Sequence, residues 1–175
     1  DTLLNLGVND QTVPGLAHAM GDPRPAYDAY RRFLQMYGAI VLGIDANIFD
    51  AILNSHKDRA NIRLDQELTA DQLREMVADF QAAIVAAKGI QAPDDPQLQL
   101  RLAIEAVFQS WNGDRAIIYR NSQGISHEMG TAVTVMAMVF GNLGNDSGTG
   151  VLFTRNTTNG EKILFGEYLA NAQGE

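Results

Sequence analysis

Residues 130–175 read GTAVTVMAMVFGNLGNDSGTGVLFTRNTTNGEKILFGEYLANAQGE. Three apolar runs of β-type residues, 131–140, 151–154 and 162–169, are separated by turn signals, and the glycines fall between the runs. Residues 131–140 are apolar on both alternating faces, which predicts a strand covered on both sides. Residues 141–148 read as a loop. The stretch 156–160 contains Asn-Gly and reads as a hairpin connection between the second and third runs.

Upstream the pattern is helical. Asp22-Pro23 reads as a cap followed by a proline in the first turn. Tyr27, Tyr30, Leu34, Tyr37, Val41 and Ile44 then recur at spacings of three and four, on one face of a long amphipathic helix. Asp45 caps a further helix with Ile48, Phe49, Ile52 and Leu53 as its buried stripe. Thr69 and Gln72 have capping-box spacing, and Leu73, Met76, Val77, Phe80 and Ile84 form one face of the helix that follows. Gly89 sits where that helix would end in the left-handed conformation. Residues 92–96 (APDDP) make a break, after which Asp95 and Pro96 start a helix carrying Leu100, Ala103, Ile104, Val107, Phe108 and Trp111. Asp114 is expected to cap a short helix through Arg120, although Ile117, Ile118 and Tyr119 also suit a strand. The expected fold class is therefore α+β: a helical subdomain over residues 1–92, then a helix-plus-antiparallel-sheet part over 93–175.

Composition limits the function. With 46% hydrophobic and 19% charged residues, 175 residues suffice for one globular core. The net charge of −8 argues against sequence-independent binding to nucleic acid, which needs a basic field, and against an anionic membrane surface. Without cysteine there is no disulfide, thiolate nucleophile or cysteine-ligated zinc. No apolar run reaches spanning length, and residue 1 is not followed by a basic-then-apolar leader, so a cytoplasmic location is expected.

Few motifs carry chemistry unaided. Residues 141–150 are rich in glycine, which lets backbone N–H groups approach a phosphate. No Gly-Lys-Ser/Thr follows, and the glycine spacing does not fit a dinucleotide fingerprint, so a plain strand connection is the competing reading. Met136, Ala137 and Met138 could border an adenine, held by backbone hydrogen bonds between soft side chains; the same residues would equally fill a core. His127-Glu128 begins like a zinc-protease motif but has Thr131 where the second histidine should stand. His18, His56 and His127 read as surface or structural residues. Arg31, Arg32, Arg115, Arg120 and Arg155 could meet phosphate, or simply anchor helix to sheet through ion pairs. Glu161, Glu167 and Glu175 are possible Mg²⁺ ligands.

The ordered elements GTAV, MVFGN, SGTGV, FTRN, GEK and GEYLANAQGE, with DTLLNLGVND at residues 1–10 and YDAYRRFLQMYG at 27–38, resemble the nucleotide-binding domain of pyruvate phosphate dikinases. The resemblance implies part of an ATP-grasp domain in a cytoplasmic, usually dimeric enzyme. That enzyme converts ATP, phosphate and pyruvate into AMP, pyrophosphate and phosphoenolpyruvate, with Mg²⁺ and a phosphohistidine in another domain. It implies ATP contacts at Asp1 and Thr2, which close over the triphosphate, and at Met136, Ala137 and Met138 beside the adenine. Met136 departs from the family's usual glutamine, which leaves backbone recognition there. It assigns no catalytic or metal-binding residue to this stretch. The start at Asp1 and the stop within a motif read as a fragment, expected to be inactive alone, whose partners are the remaining domains of the intact enzyme. A phosphoenolpyruvate synthase segment and a non-catalytic helical interaction module are the competing readings.

Overall fold

The computed structural model describes residues 2–173 and is mixed α and β, as expected. Helices α1 (Val13–Met20), α2 (Pro23–Met36), α3 (Ala46–Ala60) and α4 (Ala70–Lys88) form the core. Helix α1 has no counterpart in the sequence reading; Pro14 lies in its first turn and Gly21 closes it with a φ of 71°. Helix α2 is capped by the Asp22 carboxylate, which accepts from the Arg24 N–H. It packs chiefly on α4 and α1. The backbone then widens into a π-helical turn, Tyr37–Val41. A side chain at Gly38 would collide with the Phe49 ring, so the glycine lets α3 approach this turn closely.

Each cap read at Asp45 and Thr69 is formed. Asp45 accepts from the Asn47 N–H, and Thr69 and Gln72 satisfy each other's backbone N–H groups. All five expected residues of α4, Leu73, Met76, Val77, Phe80 and Ile84, are buried. They meet Phe33, Leu34 and Tyr37 from the α2 side and Phe49 from α3. On α3 the expected stripe is narrower than read: Phe49 is buried and Ile52 and Leu53 are half-buried, but Ile48 is exposed.

Tyr37 is fully buried, and its hydroxyl has no partner among the described residues. Burial pushes that hydroxyl up to about 12 from its ordinary 10. The neutral form is therefore favoured by folding, and between pH 10 and 12 the unfolded chain ionises first. Stability is expected to fall there by about 1.4 kcal/mol per pH unit. Tyr37→Phe should be at least as stable as the parent at neutral pH and lose less above pH 10, as read by denaturant midpoints across that range. Burial also raises Tyr30, so part of the alkaline slope will persist.

Helix α5 (Pro96–Ser110) starts on the Asp95 cap as read, and α6 (Asp114–Gln123) is the helix, not the strand. Gly113 occupies the N-cap of α6, however, and Asp114 lies inside the first turn. Strands β1 (Gly148–Phe153) and β2 (Phe165–Ala170) pair antiparallel, Gly148 opposite Ala170 and Phe153 opposite Phe165. The hairpin is thus present, with β1 starting within the glycine-rich stretch and a connection longer than Asn156–Gly160 alone.

The largest departure is at residues 131–140. The expected doubly covered strand is an extended segment outside any ladder, and Val135, Met136 and Val139 are exposed. An unbroken apolar run records what a segment can pack against, whereas a strand exists only where another chain segment accepts its hydrogen bonds. Among the described residues no segment pairs with it.

Candidate functional site

A turn at residues 5–9 precedes α1 and is clamped from α5. The Gln99 side chain, fully buried, accepts from the Gly7 N–H at 2.8 Å and donates to the Pro93 and Val8 carbonyls. Asn9 accepts from the Gln11 and Thr12 N–H groups and donates to the Asp94 carbonyl at 2.6 Å. Gly7 holds a φ of 94°, which suits glycine. The start of the chain is thereby fixed against the start of α5.

Between the two opens a cleft of about 640 Å³. One wall is the Thr2–Val8 stretch, another is α5, and a third is the extended segment that includes Met136, Ala137 and Met138. Thr2 and the three residues 136–138, read as site residues from opposite ends of the sequence, line the same space. Asp1 lies outside the described residues. Leu100, Ala103, Ile104 and Val107, read as apolar residues of this helix, form the α5 wall of the cleft; only Ala103 is buried.

The lining is largely aliphatic, with a few neutral polar groups at Thr2, Asn5, Thr12, Gln97 and Thr134. No lysine or arginine lines it among the described residues. Such a cavity suits a flat, apolar-faced group with polar edges better than a free polyphosphate, whose charge needs cations. Sequence reasoning missed Asn5 and Gln99; each is a single amide among apolar neighbours, and period and composition do not mark it.

The arginines take structural roles. Arg31 is buried between Asp28 and Asp65, at 2.9 Å and 2.8 Å, and Arg32 reaches the second oxygen of Asp28. Burial opposes the charge on Asp65, but the Lys57 ammonium, 2.9 Å away, and the Arg31 guanidinium outweigh it and hold the carboxyl below its usual range. The Asn142 side chain also donates to Asp28, at 3.2 Å, joining the loop after the extended segment to α2. Arg120 is buried over the Trp111 ring, 3.9 Å from its centre, and donates to the Trp111 carbonyl and to His127 Nδ1. His127 Nε2 is 3.0 Å from Asn121 Oδ1, and His56 Nε2 is 2.7 Å from an Asp79 oxygen, so both rings are engaged. Arg155 donates to the Gly160 carbonyl in the hairpin connection, and Arg115 is exposed.

Glu161 and Glu167 lie exposed on the hairpin, away from the cleft lining, and Glu175 is outside the described residues. Among the described residues no three His, Asp or Glu side chains come together as a metal site. Neither Glu161 nor Glu167 therefore reaches the cleft as a Mg²⁺ ligand. Among the described residues, no helix is long and apolar enough to cross a membrane.

Residues 1–173 match the family model described as the pyruvate phosphate dikinase AMP/ATP-binding domain. The whole chain is 53% identical to the pyruvate, phosphate dikinase of Rhizobium meliloti, covering 20% of that protein. It is 54% identical to the chloroplastic pyruvate, phosphate dikinase of Mesembryanthemum crystallinum, covering 18%, and 53% identical to the Giardia intestinalis enzyme, covering 20%. The chain thus spans about a fifth of the length of the curated relatives it matches.

Proposed function

Because this chain belongs to the pyruvate phosphate dikinase family, we propose that its cleft holds the adenosine end of ATP for a dikinase reaction completed elsewhere in the enzyme. The observation that carries the reading is the meeting of Thr2 with Met136, Ala137 and Met138 around one mostly apolar cavity. The open backbone of the extended segment offers N–H and C=O groups to the adenine edge, and Met136 and Met138 offer soft, polarisable surface to its faces. Thr2, and Asp1 beside it, meet the phosphate side. The overall reaction would take ATP, phosphate and pyruvate to AMP, pyrophosphate and phosphoenolpyruvate through a phosphohistidine in another domain.

Phosphoryl transfer of this kind rests on positioning and on neutralising charge, with Mg²⁺ as the cofactor we propose. The described residues supply the positioning: they orient the nucleoside and exclude water from one side of it. Cations and carboxylates for the phosphates would come from the remaining domains, the partners proposed for this one. The division into a helical part, 1–92, and an α/β part, 93–175, of an ATP-grasp domain belongs to the same proposal. So do a cytoplasmic location, a homodimeric intact enzyme, and no role for nucleic acid or membrane.

Calorimetric titration of Mg·ATP into the 175-residue chain and into the intact enzyme tests this. Binding to the intact enzyme should exceed binding to the chain by at least tenfold, and the chain alone should form no AMP. Ala137→Trp, which fills the cleft, should weaken Mg·ATP binding by the intact enzyme at least tenfold. Unchanged affinity in that variant would remove the cleft as the nucleotide site.

A further inference from the structure

The buried amides around the 5–9 turn are unequal. Gln99 and Asn9 have both ends of their side chains occupied. Asn5 is just as buried, at 2% exposure, yet neither its amide nitrogen nor its amide oxygen has a partner among the described residues. Its backbone is held at a φ of 61°, in the left-handed region that asparagine tolerates better than most residues. Folding gains nothing from a buried amide left unpaired, and strained, unpaired groups concentrate where a ligand completes them.

Asn5 lines the cleft. A carboxamide offers one donor beside one acceptor in a plane. The complementary edge belongs to adenine, whose N6 amine donates beside the N7 acceptor; guanine presents two acceptors there. A phosphate offers only acceptors, and the lining lacks a cation among the described residues to hold one. Both amide atoms are shielded from solvent, so contact requires the Thr2–Val8 wall that carries Asn5 to shift ahead of its anchor at Gly7.

We propose that Asn5 reads the base of the bound nucleotide, its oxygen accepting from the N6 amine and its nitrogen donating to N7, and so sets preference for adenine over guanine. This rests on the cleft being the nucleotide site. Asn5→Gly keeps the left-handed backbone and removes both unpaired groups. In the intact enzyme it should lower ATP affinity about tenfold and shrink the ATP-over-GTP preference by a similar factor, the lower end of what a bidentate base contact discriminates. Its melting temperature should be unchanged or higher. A lower melting temperature with ATP affinity and base preference intact would assign Asn5 to structure and overturn the proposal.

Should the glycine variant not fold, Asn5→Asp keeps the size and replaces the donor with an acceptor. It must lose ATP affinity and base preference, and unaltered values would equally overturn the proposal. Ala137→Trp separates the two levels. If it blocks ATP while the Asn5 variants bind and discriminate normally, only the Asn5 proposal fails. If it leaves ATP binding unchanged, the cleft reading fails with it.

Discussion

Phe80→Ala is expected to cost about 3–5 kcal/mol, which for a chain of this size lowers the melting temperature by roughly 10 °C or more. Phe80 has no exposed surface and sits edge-on to Phe49, ring centres 5.1 Å apart at 70°. Truncation removes that aromatic contact and leaves a cavity where α2, α3 and α4 converge, held open by Leu73, Met76 and Ile84 on the same helix. Phe80→Leu refills most of the volume and should cost about 1.5 kcal/mol. Equilibrium denaturation of the two variants checks both the size and the order. A loss below about 1 kcal/mol for alanine would mean that the three helices close over the gap.

Asp28→Ala should cost a comparable 3–5 kcal/mol for an electrostatic reason. The Asp28 carboxylate is buried and accepts from Arg31, Arg32 and Asn142. Removing it leaves the buried Arg31 guanidinium leaning on Asp65 and Gln35, and deprives the Asn142 nitrogen of its acceptor. Asp28→Asn keeps the shape without the charge and should lose less. Amide exchange separates this loss from a general one: residues 141–147 should open more in the Asp28 variants than in Phe80→Leu at equal global stability. Matching exchange in both would mean that the Asn142 contact does not hold the loop.

The helical core was legible because its signals are local. Asp22, Asp45, Thr69 and Asp95 each state where a helix starts, and the face of α4 is written in residues three and four apart. Residues 131–140 show the limit of that logic. Their unbroken apolar run is real, but pairing depends on a neighbour that no local pattern supplies. The α5 wall shows the same limit, since a cleft and a core ask for the same aliphatic side chains. Thr2 and residues 136–138 were read as site residues through family resemblance, not spacing. Gln99 carries no periodic or compositional mark, because a hydrogen bond to Gly7, 92 residues away, leaves nothing in either neighbourhood. Asn5, with no partner for its amide among the described residues, leaves none either.

The clamp of Gln99 on Gly7 sets an order of events during synthesis. The buried core residues run from Val8 to Ile84, so they have been translated before Gln99 is added. Domains generally fold as units from the N-terminus as the chain emerges. The helices can therefore condense while the first turn of the chain still waits for its anchor, and the tie from Asn142 to Asp28 closes later still. A nascent chain that has emerged only as far as residue 98 would carry a packed helical nucleus with an unfinished mouth, exposed to whatever binds apolar surface until α5 emerges.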